Sequence, residues 1–168
     1  GFEVIKMAVE EHRHVKLETE EVELDPSTEG AVRDAFKICS CGNERMNVED
    51  VGNAMILTHM HMEAEELRRV KLKYGPQRQI TMAEFRVIVR DKLESERMKG
   101  RMNKVFTYIA RDPSRGITVD DLRLKFAEND MDVREDELER MINLSENSER
   151  RRVPLKTFYT IMKQAGLM

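Results

Sequence analysis

The feature that most restricts how this chain can fold is a pattern that occurs four times. An apolar helical face is followed by a polar break and then by a six-residue ending that carries a capping position between apolar residues. The clearest copy is MNKVFTYIARDPSRGITVDDLRLKF, residues 102–126. Met102, Val105, Phe106 and Ile109 fall on one helical face, Leu122 and Phe126 on another, and Asp112, Pro113, Ser114 and Gly116 interrupt the chain between them. Thr118 is placed to cap the second helix, and Asp121, three residues on, to reach back to the N–H of the cap. One helix–loop–helix is commonplace, whereas a fourfold internal repeat defines an architecture.

The other endings are Met46-Asn47-Val48-Glu49-Asp50-Val51, Ile80-Thr81-Met82-Ala83-Glu84-Phe85 and Val153-Pro154-Leu155-Lys156-Thr157-Phe158. The helical faces before them are Val32, Ala35, Phe36 and Cys39; Leu67, Val70 and Tyr74; and Leu138, Met141 and Ile142. From the first face residue to the apolar loop residue is 14, 13, 15 and 15 positions (32 to 46, 67 to 80, 102 to 117, 138 to 153). The first two loops are therefore one and two residues shorter than the last two.

Over about residues 27–165 this pattern resembles the calmodulin superfamily, the four-EF-hand proteins that include calmodulin, the centrins and the myosin light chains. The resemblance implies an all-α fold of two EF-hand-pair lobes, four helix–loop–helix units in all, with short two-stranded contacts between paired loops. It also implies that Met46 sits beside Ile80 and Ile117 beside Val153. The expected organisation is an N-terminal arm (1–26), a first lobe (27–94), a linker (95–100) and a second lobe (101–168). The linker sequence ESERMKG fits either a lobe linker or a continuous connecting helix. In the arm, Phe2, Ile5 and Val9 have helical spacing, whereas Val15 with Leu17 and Val22 with Leu24 alternate as in a strand. Asp25-Pro26-Ser27 marks the start of the first repeat helix and predicts Ser27 or Thr28 as its cap.

Against the calcium chemistry of that family, the loops are depleted. Calcium takes six to eight oxygens, including a bidentate Glu at the end of the loop. The first loop begins at Ser40, carries Arg45 where a turn glycine is needed, and ends at the shorter Asp50. The second keeps Glu84 but adds Arg78 and offers no other carboxylate. In the third, Asp112, Ser114, the Gly116 carbonyl and Asp121 fall at coordinating positions, but Ala110 stands at the opening ligand position and Arg115 replaces the turn glycine. The fourth ends at Thr157 and contains Arg150, Arg151 and Arg152, which repel a cation and are available to an acidic partner. No metal site and no cofactor are expected, with the third loop the weak candidate.

Other chemistry is sparse. His12 with His14 and His59 with His61 are spaced by two, which points them apart on a helix. Cys39 continues an apolar face and Cys41 lies in a loop, so no disulfide framework is expected and a reducing cytosolic compartment is the default. No nucleophile motif or phosphate-cradling loop is present, and the chain is read as no enzyme. A net charge of -3 argues for neither nucleic acid nor an anionic membrane, and no apolar run reaches membrane-span length.

Twelve methionines without a tryptophan form the last signal. Methionine adapts to partner helices, and Met55, Met60, Met62, Met82, Met141 and Met162 fall in or near helices expected to line lobe grooves. The expectation is a monomeric, calcium-independent, light-chain-like subunit that clamps an amphipathic, IQ-motif-like helix of a larger cytoskeletal, motor or flagellar protein in the cytoplasm. Two alternatives stand beside it: a calcium sensor using only the third hand, and a regulatory domain of a larger enzyme, which the start at Gly1 allows.

Overall fold

A computed structural model of the chain describes residues 23–75, 78–143 and 152–167. Among these residues the chain is mainly helical. Its elements are α1 (Pro26–Cys39), β1 (Arg45–Asn47), a 3-10 turn (Val48–Asp50), α2 (Val51–Leu57), α3 (Ala64–Tyr74), β2 (Gln79–Thr81), α4 (Met82–Ile109), β3 (Ile117–Thr118), α5 (Val119–Glu128), α6 (Glu135–Asn143), β4 (Arg152–Val153) and α7 (Leu155–Gln164). β1 pairs with β2 and β3 with β4, both antiparallel. The register places Met46 opposite Ile80 and Ile117 opposite Val153, the two pairings that the resemblance implies. All four of these side chains are buried. No helix among the described residues is long and apolar enough to cross a membrane.

Two compact units divide between Glu96 and Arg97, and each has its own core. In the first unit the inward faces of α1, α2 and the start of α4 close over Met46 and Ile80, with Phe36 of α1 against Phe85 of α4 at a ring separation of 6.0 Å. The second unit repeats the device, because Phe106 and Phe158 meet edge to face at 5.4 Å. Phe36 and Phe106 each lie four residues after the first face residue of their repeat, and Phe85 and Phe158 each close a six-residue ending. The same two sequence positions thus build an aromatic contact in both cores. Such pairs add about 0.5–1.5 kcal/mol beyond the area they bury.

Residues 95–100, for which the sequence permits a linker or a helix, lie inside α4. Glu96, Arg97, Met98 and Lys99 favour helix, and the Lys92–Glu96 ion pair at 2.9 Å joins adjacent turns leading into it. At the start of α1 the cap is Asp25, not Ser27 or Thr28. Pro26 fixes the backbone at the first helical position, so the Asp25 carboxylate accepts the N–H groups of Ser27 and Thr28. The expected faces of the arm fall on residues 1–22, outside the described residues, except for Leu24, which packs partly buried against the first core.

Gly116 has a positive φ of 88°, and a Cβ there would stand 2.7 Å from the Val153 carbonyl oxygen, which belongs to the paired strand. Gly30 is helical, within α1, and a Cβ there would meet nothing within 4 Å. Gly116→Ala is therefore expected to destabilise the second unit by on the order of 1–3 kcal/mol. Gly30→Ala should stabilise the first unit by about 0.5–1 kcal/mol. Urea melts that follow the two units separately test this, and equal effects at the two glycines would refute the close-approach argument.

Candidate functional site

The loop carboxylates are where metal chemistry would have to reside, so their partners decide what the loops can do. Asp121 is buried at the start of α5. Its Oδ2 accepts the N–H of Thr118 at 2.9 Å and the hydroxyl of Thr118 at 2.8 Å, while the Thr118 oxygen accepts the Asp121 N–H at 3.1 Å. This is the reciprocal cap that the sequence predicts. The other oxygen, Oδ1, is taken by Arg111, whose Nε donates to it at 2.8 Å. A loop arginine therefore supplies the positive charge beside the acid that the repeat pattern places at the loop end.

Burial works to raise the pKa of Asp121, but the hydrogen bonds from Arg111 and Thr118 outweigh it and hold the carboxyl below its usual range. Arg111 is correspondingly held further into its charged form by its hydrogen bond to Asp121 and by that charge. The second loop follows the same arrangement. Glu84 accepts the N–H of Thr81 at 2.8 Å, and Arg78 donates to its other oxygen at 3.4 Å. Its pKa is lowered first by the Thr81 N–H and, against some burial, by the nearby Arg78. Arg45 contributes as well, from the strand position opposite Thr81.

The remaining third-loop candidates do not converge on Asp121. Asp112 accepts the N–H and hydroxyl of Ser114, at 3.1 and 2.6 Å, which makes it a local turn former whose pKa is lowered chiefly by the Ser114 hydroxyl. Gly116 serves the close approach of β4. Ala110 is buried in the second core. Among the described residues no group of three or more His, Cys, Asp or Glu side chains is arranged to hold a metal ion. In the fourth loop, Arg152 lies in β4 opposite Thr118, whereas Arg150 and Arg151 lie outside the described residues. Cys39 packs against the first core, where burial raises its pKa, and Cys41 is exposed. His59 and His61 are exposed, and His12 and His14 lie outside the described residues.

The six methionines assigned to partner grooves pack, in this conformation, within or against the two cores. Met55 and Met162 are fully buried, Met62 and Met141 nearly so, and Met60 and Met82 pack partly buried against the first core. Met55, Met82, Met141 and Met162 lie in helices, and Met60 and Met62 in the connection between α2 and α3; at such positions a flexible thioether fills irregular gaps. Met62 also lines a cleft, a cavity of about 260 Å³ between α3 and α4 with Val70, Tyr74 and Ile88 on its walls. Exposed apolar surface comes from other residues: Ile38, Ile56 and Leu72 in the first unit, Tyr108 and Leu124 in the second.

No protein-family model matches this chain. No curated protein matches it either. The site must therefore be read from its own geometry.

Sequence reasoning misses two features. Arg78 registers only as a charge hostile to calcium, and Arg111 not at all, although the two are the partners of Glu84 and Asp121. Lys92 also escapes notice, even though it continues the apolar stripe Phe85, Ile88 and Val89 by one helical turn, a position where a charge requires a partner.

Because the folded pKa of Asp121 is lowered, its contribution to stability is complete above the unfolded value of about 3.9. It is lost as pH falls through the lower folded value. The second unit should hold constant stability from neutral pH to about pH 4 and lose it below. In Arg111→Gln, the Asp121 carboxyl should titrate at higher pH, the unit should be less stable at neutral pH, and the acid-dependent loss should be smaller, because less pairing free energy remains to be lost. Carboxyl-carbon NMR titration with parallel thermal melts checks this, and superimposable profiles would rule out the pairing.

Proposed function

We propose that this chain is a calmodulin-like, light-chain-like protein-binding subunit of four EF-hand-like units in two lobes, which grips an amphipathic helix of a larger protein without using calcium. The observation that carries the proposal is the joint state of the loops. Paired strands and reciprocal caps are kept, while the carboxylates of Glu84 and Asp121 are occupied by Arg78 and Arg111. A loop whose acid already holds a guanidinium has its counter-charge inside the chain, so its geometry does not wait for an ion.

Helix binding is supported by the cleft between α3 and α4, where Met62, Val70, Tyr74 and Ile88 stand among charged side chains such as Arg69, Lys73 and Asp91, and by the exposed Ile38, Ile56 and Leu72 of the same unit. An amphipathic helix buries its apolar stripe in a groove of this kind. A cytoplasmic, cytoskeleton-associated setting, such as a motor or flagellar assembly, follows from the family resemblance and belongs to the same proposal.

Isothermal titration of the full chain with millimolar calcium and magnesium should give no saturable heat. Affinity purification from the native cell followed by mass spectrometry should recover one stoichiometric large protein with an amphipathic helix. A micromolar calcium site would instead favour a sensor, and recovery of no such partner would remove the clamp.

A further inference from the structure

The cleft between α3 and α4 is bounded by a polar cluster that the loop chemistry does not use. Lys92 of α4 is buried, with its side chain 6% exposed. Its Nζ donates to Glu66 of α3 at 2.8 Å (Oε2) and 3.0 Å (Oε1), and it pairs with Glu96 one turn further along α4 at 2.9 Å. Oε2 of Glu66 also accepts the N–H of Glu63, the residue that caps α3, at 2.8 Å. One carboxylate therefore both starts α3 and fastens it to α4. Burial alone would lower the pKa of Lys92, yet it is raised because hydrogen bonds and charge from Glu66 and Glu96 outweigh desolvation.

An ammonium removed from water is tolerated only while its counter-charges stay in contact. If α3 swings from α4, Lys92 keeps Glu96, which shares its helix, and loses Glu66. The same movement bares the cleft walls at Met62, Val70, Tyr74 and Ile88. Separation of the two helices thus breaks a buried ion pair and exposes apolar surface in a single event, which favours discrete closed and open states over gradual widening.

We propose that the Glu66–Lys92 pair is a clasp that holds α3 against α4 and sets the fraction of molecules whose cleft is open to an apolar helix. Its purpose rests on the helix-binding function proposed above, but its existence is testable without any partner.

The experiment uses the full chain and the variants Lys92→Met, Glu66→Gln and their combination. Glutamine retains an oxygen for the Glu63 N–H, so Glu66→Gln weakens the clasp while keeping the cap. Hydrogen exchange read by mass spectrometry should speed up about tenfold in α3 relative to α1 of the same variant. An apolar-surface dye should brighten, helical circular dichroism should be unchanged, and the double variant should exchange no faster than the faster single one. Unchanged exchange in α3, or equal acceleration in α1 and α3, overturns the clasp. If Lys92→Met does not fold, Glu66→Gln decides by the same readouts.

A second arm measures binding of a model amphipathic peptide of leucine and lysine. Its apparent affinity should rise by the same factor as the open population. Opening without tighter binding would keep the clasp and overturn the helix-binding function, so the two failures are distinguishable.

Discussion

Each unit is organised by a strand contact only two or three residues long, and the rest of the packing depends on where that contact sits. Met46 against Ile80, and Ile117 against Val153, put two apolar side chains from separate loops into one core. So short a ladder supplies few hydrogen bonds, and isolated two-stranded pairings are marginal in water. Its importance is positional. Fixing the loop ends fixes the first turns of the helices that follow, and from there Phe85 and Phe158 reach Phe36 and Phe106. The close approach at Gly116 has the same origin, because β4 passes where any side chain at that position would stand.

The carboxylates are arranged around this contact rather than within it. Glu84 and Asp121 each stand three residues after a threonine, accept its backbone N–H, and meet an arginine from the same loop. Ionic contacts on the outer surfaces, such as Lys71 with Glu49 and Arg123 with Glu135, are exposed and contribute little individually. The buried pairs differ because a carboxylate or ammonium without water requires its partner. That need explains why Asp121 and Lys92 are the only buried charged side chains among the described residues and why both are paired.

Much of this fold is legible in the sequence, because periodicity and caps are local signals. The four apolar faces and the Thr118–Asp121 cap follow from residue spacing, and the two strand pairings from the family resemblance that the spacing suggests. Features that depend on distant neighbours are harder to read. The position of Lys92 on the apolar stripe shows that it needs a partner, but not that the partner is Glu66, 26 residues away in sequence. The methionines carry the opposite lesson, since a residue suited to partner surfaces is equally suited to filling a core, and composition cannot separate the two uses. The cap at Asp25 is hidden because Pro26 at the first helical position moves the cap two residues ahead of Ser27, a choice made by local geometry and not by the apolar pattern.

The double duty of Asp121 constrains how this chain can diverge. Exchanging its guanidinium for a metal would require the loss of Arg111 and the gain of several oxygen donors together, since either change alone leaves an enclosed anion bare or crowds two positive charges. Neutral drift at the outer loop residues leaves that obstacle in place. The pairing acts as a lock: with a guanidinium already seated on the carboxylate at the helix start, no single substitution turns this loop into one governed by ion concentration.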